Sequence, residues 1–357
     1  MHSIQRRAWL CTTGLALLTS LAFAGIARAA PDVVVSIKPL HALVTQVMEG
    51  VAEPGLLVAG NASPHTYTMR PSDAALLEGA DIVFWTGHGM ELFLESALDS
   101  LAGDAVVVEL AEAPGIALLP VREGGAFEAH DHGGHDHGHD HVHDHDHAHD
   151  DHDHEGHDHD DHGHDGDDHA HEDHDHSHDH AGHHHGAGDM HFWLDPDNAV
   201  HMVEAIAASL SEADPENAAT YAANAEQAVA GLETLSGEIE TALAPLADRS
   251  FIVFHDAYQY FEARFGLAVA GSITVSPEIA PGAARIAELR SRLAELGATC
   301  VFAEPQFEPA VVATIIEGSE ARAGILDPEG GTIPAGRDHY AQLLRNLATG
   351  LTDCLAD

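Results

Sequence analysis

Basic residues are scarce in this chain. Lysine and arginine together number 14 of 357 residues, against 59 aspartates and glutamates, for a formal net charge of −45. So anionic a surface repels the phosphates of nucleic acid and of acidic lipid, and it attracts cations. The one lysine, Lys38, follows no glycine-rich run. A phosphate-binding loop needs a lysine after its glycines, so the chain cannot draw work from a nucleotide by that route. Cysteine is rarer still: Cys11, Cys300 and Cys354, with no C-x-x-C pair. An HExxH run, the helix-borne signature of zinc hydrolases, is also missing. Beyond the N-terminus no apolar run is long enough to span a bilayer.

The N-terminus reads as an export signal covering residues 1–29. Arg6 and Arg7 precede an apolar stretch from Leu10 to Ile26, and Ala27-Arg28-Ala29 offers a small-x-small cleavage site. The stretch is short for an anchor and carries Thr12, Thr13, Thr19 and Ser20. Gln5 stands where a twin-arginine signal has Ser or Thr, which favours the general secretory route to the periplasm. Cys11 falls too early for lipid attachment. In the exported chain Cys300 and Cys354 remain, and an even pair in an oxidising compartment predicts one disulfide, with metal ligation as the competing reading.

Histidine is what the chain has in excess. Of its 33 histidines, 25 lie between His130 and His185, interleaved with 19 acidic residues and no Lys or Arg. Alternating imidazole and carboxylate suits zinc and similar late transition metals. Near pH 6.5 about half of these imidazoles would be protonated and compete with metal. The biased segment, residues 122–188, has almost no apolar side chains to offset the entropy of ordering and is predicted to be disordered without metal.

Outside that insertion, short β-rich runs alternate with helical stretches. Val33–Ile37, Ala80–Thr86 and Ala105–Leu110 read as strands; Leu40–Met48, Ala74–Leu77 (capped by Ser72 or Asp73) and Glu91–Leu101 read as helices. His201–Leu210 reads as a helix, and a longer one starts at Asp214-Pro215, with Leu232, Leu235, Ile239 and Leu243 forming one apolar stripe. Strands at Phe251–His255, Ala268–Val275, Thr299–Ala303 and Arg322–Leu326 follow, with helices at Ala257–Phe265, Pro281–Leu296, Pro309–Glu317 and Arg337–Cys354. The expected fold is α/β: two similar lobes, each a mostly parallel sheet flanked by helices, joined by one long rigid helix. Residues 30–213 form the N-terminal lobe including the insertion, 214–246 the linking helix, and 247–357 the C-terminal lobe.

Seven histidines lie outside the signal and the tract. His65 is in a Pro64-His65-Thr66-Tyr67 loop, His191 opens His191-Phe192-Trp193-Leu194-Asp195-Pro196, and His255 ends the apolar run Phe251–His255. All three fall where strands end and helices begin, the place where parallel α/β folds bind ligands. Three imidazoles plus an oxygen ligand or water make a tetrahedral zinc site. Asp195 and Asp256 are candidates to orient these imidazoles, helix capping being the alternative role. His88 falls after a strand end; His41, His201 and His339 read as surface or helix residues.

The segments SIKPLH (36–41), ASPHTYTMRPSD (62–73), HFWLDP (191–196), FHDAYQYFE (254–262), CVFAEPQF (300–307) and ILDPEG (325–330) resemble zinc-specific solute-binding proteins of ABC importers, the ZnuA-type branch of the cluster A-I family. The likeness runs through the mature chain except the insertion, and a His/Asp-rich insertion at this point is typical of the zinc branch. It implies two lobes bridged by a rigid helix, with metal in the cleft. His65 and His191 would be first-lobe ligands and His255 a second-lobe ligand. Some relatives place a carboxylate before the first histidine, where this chain has Pro64; others use an Asp at the position of Asp327. The fourth ligand is therefore water or Asp327, and Asp327 also suits a turn before Pro328. Manganese-type members carry a carboxylate where His255 stands, which points to Zn2+. The resemblance implies a monomeric periplasmic protein that does no chemistry and hands zinc to a permease driven by an ATPase. The rival functions are a zinc buffer or metallochaperone centred on the tract, and a secreted zinc hydrolase.

Overall fold

The computed structural model describes residues 30–122, 127, 188–274, 277, 281–297, 299–307 and 310–356. The expected signal peptide (1–29) and the tract from His130 to His185 lie outside the described residues. The first lobe contains β1 (Val33–Val35), α1 (Lys38–Val47), β2 (Gly55–Leu56), α2 (Pro71–Glu78), β3 (Ile82–Trp85), α3 (Leu92–Leu101) and β4 (Val106–Glu109). Helices α4 (Pro196–Ala213) and α5 (Ala218–Leu243) follow. The second lobe contains β5 (Ser250–His255), α6 (Gln259–Phe265), β6 (Ala268–Thr274), α7 (Ala283–Leu296), β7 (Cys300–Ala303), α8 (Ala310–Ile316), β8 (Arg322–Ile325) and α9 (His339–Leu355).

Both sheets are four-stranded and parallel, and their strand orders correspond: β2-β1-β3-β4 and β6-β5-β7-β8. In each, the chain steps from the first strand out to one edge and then crosses to the other side. The order therefore reverses between β1 and β3, and between β5 and β7, leaving a crevice at those strand ends. The strands are near-continuous apolar runs because helices cover both sheet faces. Alternate residues divide between two cores, as the two-residue period of a strand requires. Val33 and Val35 join Phe251, Val253 and Tyr340 in one core that runs through both lobes, whereas Val34 and Val83 pack outward with Leu94. Ile252 and Phe254 likewise pack outward with Leu289 and Val301.

Helix α5 is the spine of the shared core. Its buried stripe includes Tyr221, Leu232, Leu235, Ile239 and Leu243, and it packs on α1 and α4 on one side and on α6 and α9 on the other. At 26 residues it is about 39 Å long, shorter than the expected span from Asp214. Asp214 instead ends α4 and ties the corner: its carboxylate accepts hydrogen bonds from Asn217 Nδ2 (2.7 Å) and Tyr221 Oη (2.9 Å). Two further corrections concern helix starts. Helix α4 begins at Pro196, not His201, because Asp195 caps it by accepting from the Asp197 N–H (2.9 Å). Helix α2 begins at Pro71 with Arg70 as its cap residue, and Asp73 reaches back to the Arg70 N–H (2.8 Å). The short β2 has no strand-like sequence pattern; pairing with β1 alone defines it.

Cys300 in β7 and Cys354 in α9 form the expected disulfide, with Cα atoms 6.1 Å apart at a sequence separation of 54. The bridge pins the last helix, which also packs on α1 and α5, to a central strand of the second sheet. By loop-closure entropy, replacing both cysteines by serine should cost about 4 kcal/mol. Equilibrium denaturation of the oxidised protein against the double variant measures this; a difference within error would show that the bridge is redundant with the packing around it.

Candidate metal centre

Three imidazoles meet where the two lobes face each other. His65 comes from the loop between β2 and α2, His191 from the turn entering α4, and His255 from the last position of β5. His65 Nε2 and His255 Nε2 each lie 3.3 Å from His191 Nε2, and among the described residues these three form the group whose ligand atoms converge, all within 4.8 Å of one another. Zinc–nitrogen bonds of about 2.0–2.1 Å in a tetrahedron place the nitrogens roughly 3.3 Å apart. The two 3.3 Å spacings therefore match those a small tetrahedral cation requires. His191 and His255 are buried and His65 is partly so.

Two carboxylates fix the rings. Asp189 Oδ1 lies 2.7 Å from His191 Nδ1, and Glu304 Oε1 lies 2.6 Å from His255 Nδ1. A carboxylate at Nδ1 assigns the proton to that nitrogen and leaves the Nε2 lone pair pointing at the other two rings. Glu304 follows β7 and His255 ends β5, so this pair occupies the crevice where the second sheet reverses its strand order. The matching crevice of the first sheet is filled by Glu91, which accepts hydrogen bonds from Ser36 Oγ (2.5 Å) and Thr86 Oγ1.

The charges of the site are unequal. Burial, with His191 and His255 beside it, holds His65 well below the usual imidazole range. Burial also works to lower His255, but the charge and hydrogen bond of Glu304 outweigh it and raise that imidazole. Burial, with Asp327, Glu91 and Glu304 nearby, pushes the Glu329 carboxyl well above its usual range. Asp189 and Glu304 thus set acidic groups directly behind two of the three rings, a setting that favours a divalent cation.

The other expected site residues are elsewhere. Asp327 is outside the converging group: Oδ1 accepts from Gln306 Nε2 (2.8 Å) and the Glu329 N–H (3.2 Å), and Oδ2 from the Gly331 N–H (2.8 Å). It closes the turn after β8. That turn is held across the cleft by Lys38, whose Nζ donates to Gly331 O (2.7 Å) and Ile333 O (3.0 Å), and by Trp193 Nε1 donating to Pro328 O (3.0 Å). Asp195 and Asp256 do not orient imidazoles: Asp195 caps α4, and Asp256 is paired with Arg122. The true ring partners, Asp189 and Glu304, carried weak sequence signals, a D-x-H spacing and a lone acid ending an apolar strand. His88 belongs to a groove between α3 and β4, beside Glu95 (3.4 Å). His201 lies 3.5 Å from Glu204 on α4. His41 and His339 are helical but buried, with Nε2 placed against Pro54 O (3.1 Å) and Glu329 O (3.0 Å).

Two parallel α/β lobes with an imidazole cluster in the cleft between them define a cleft-type metal-binding protein. The family model described as zinc-uptake complex component A, periplasmic, matches residues 33–354. The high-affinity zinc uptake system protein ZnuA of Brucella suis biovar 1 (strain 1330) is 52% identical over 341 residues, 96% of this chain and 96% of its own. The fold matches a crystal structure of ZnuA at a TM-score of 0.67 and 24% identity, over 92% of this chain and 100% of that one. It matches the periplasmic zinc binding protein TroA of Treponema pallidum at a TM-score of 0.67 and 17% identity, over 92% and 99%. The chain belongs to the ZnuA family, the periplasmic component A of zinc-uptake complexes.

Two outcomes follow from this geometry. Glu304→Gln removes the charged acceptor of His255 Nδ1–H and should weaken late-transition-metal binding about 10- to 100-fold, read by chelator competition; unchanged affinity would deny the carboxylate its orienting role. His41 and His339 are both lowered by burial, despite the hydrogen bonds their rings make to nearby carbonyl oxygens, which work to raise them. The unfolded chain therefore binds more protons, and stability should fall as pH drops below the ordinary imidazole value of about 6.5. Denaturant melts of the metal-free protein between pH 7.5 and about 5.5 test this. A His41→Gln/His339→Gln variant should lose less stability over that range than the wild type; an equal loss would refute the assignment.

Proposed function

We propose that this chain captures Zn2+ in the interlobe cleft through His65, His191 and His255, with a water molecule in the fourth position, and delivers it to the permease of an ATP-driven importer. The observation that carries the reading is the meeting of three Nε2 atoms from both lobes, two of their rings locked by Asp189 and Glu304. Water is the preferred fourth ligand because the oxygens of Asp327 already accept three N–H groups. An all-imidazole protein shell favours zinc over the harder Mn2+. Capture rather than hydrolysis is supported by the two nearest carboxylates, since each is engaged with an imidazole nitrogen and neither is left to activate a water. The energy for transport belongs to a separate ATPase, because Lys38, the one lysine, is committed to the loop at 331–333.

The tract from His130 to His185 would gather zinc loosely and raise its concentration near the single tight site. The tract ends six residues before His191, so it is tethered close to the three imidazoles. Titration of the mature protein with Zn2+ and Mn2+ tests the whole scheme. Deleting residues 130–185 should leave one tight zinc and remove only weaker sites. His65→Ala should lower the tight affinity by more than about 100-fold, beyond the effect of losing an outer partner. Loss of all tight binding on deletion of the tract would instead make the tract the functional part, a zinc buffer.

A further inference from the structure

The chain leaves the first lobe as a two-stranded stub that is fastened to the second. Pro120 bridges Gly188, and the Asp189 N–H donates to Leu119 O (2.7 Å). Helix α6 and the residues before it grip this stub. Tyr260 Oη accepts from the Leu119 N–H (2.8 Å) and donates to Asp189 O (2.6 Å), and Gln259 Nε2 donates to Pro120 O (3.0 Å). At its tip Arg122 inserts between two buried carboxylates. Its Nε donates to Asp256 Oδ2 (3.0 Å), Nη1 to Glu262 Oε2 (2.7 Å) and Nη2 to Glu262 Oε1 (2.9 Å), with a further contact to Asp256 Oδ1. The guanidinium also lies over the Phe127 ring, 4.0 Å from its centre. Its partners sit beside metal-centre residues on both sides of the cleft: Asp256 follows His255, and the stub continues through Asp189 to His191.

From this arrangement we infer that Arg122 is a positioning residue for zinc retention: its ion triad with Asp256 and Glu262 clasps the lobes beside the ligands and sets how long the cleft stays closed on bound zinc. The inference rests on the zinc-capture reading above. Zinc leaves when His255 separates from His65 and His191, and that motion must also part Arg122 from Asp256 and Glu262. A planar, forked guanidinium suits such a double carboxylate contact, whereas an ammonium does not reproduce it. Breaking the clasp should therefore raise the zinc dissociation rate and leave the association rate little changed.

Removing only one member leaves a buried charge without a partner, which destabilises a fold by itself. The decisive variant is therefore the neutral triple Arg122→Gln/Asp256→Asn/Glu262→Gln, which retains all three histidines, Asp189 and Glu304. Zinc release is followed by stopped-flow transfer to an excess of a fluorescent chelator, alongside thermal melts of the metal-free proteins. The expected result is a dissociation rate raised roughly 10-fold, within the usual range of coupling between linked sites, at a near wild-type melting temperature. Arg122→Lys should restore the rate only in part. A neutral triple variant that keeps the wild-type melting temperature and releases zinc at the wild-type rate would overturn the clasp. Failure of the wild-type protein to hold one tight zinc would instead overturn the capture reading on which the clasp depends.

Discussion

Three imidazole lone pairs directed at one point, inside a space screened from water, are the constraint around which this molecule is arranged. Without a cation between them, these nitrogens have little to gain from proximity. Their separations of 3.3 Å hold because other parts of the fold impose them. Asp189 and Glu304 fix the proton on the far side of two rings, and strand β5 and the turn into α4 fix the backbones. The carboxylates of Asp189 and Glu304, set directly behind two of the rings, supply acidic groups to which a divalent ion is the natural complement.

The two sheets share one topology, and each uses the crevice where its strand order reverses in its own way. In the first, Glu91 closes it with Ser36 and Thr86; in the second, His255 and Glu304 turn it into half of the metal centre. The lobes are not independent bodies on a tether. A single apolar core passes from one sheet to the other through α5, and α9 returns from the second sheet to pack on α1. Polar links from Lys38, Trp193 and Arg122 cross the cleft around the imidazoles. Movement between lobes is therefore confined to small changes near the cleft, where packing gives way to hydrogen bonds.

This division separates tight binding from loose attraction. A histidine on a flexible chain must lose its freedom to join a site, and that entropy reduces what each ligand contributes. The cleft imidazoles lose little, since they are ordered before metal arrives.

Much of the fold was legible in the sequence, because an apolar strand buried on both faces and an amphipathic helix carry local patterns. The five-residue run at 251–255 and its neighbours, the stripe along α5 and the alternation of elements all read directly, as did the pairing of Cys300 with Cys354. The two-residue β2 did not, since its partner rather than its composition makes it a strand. The settings of His65, His191 and His255 at strand and helix junctions were visible too; their meeting was implied by the family resemblance and not by spacing, because 126 and 64 residues separate them. Sequence also pointed to other orienting acids, Asp195 and Asp256, which instead cap α4 and pair with Arg122. Asp189 and Glu304 take that role, and Glu304 reaches His255 across 49 residues. By itself the sequence determined the alternation of elements, the acidity and the supply of imidazoles. The geometry in which three distant imidazoles meet, and the carboxylates that orient two of them, were decided by tertiary structure, because a parallel sheet and the turns at its strand ends bring together residues that lie far apart along the chain.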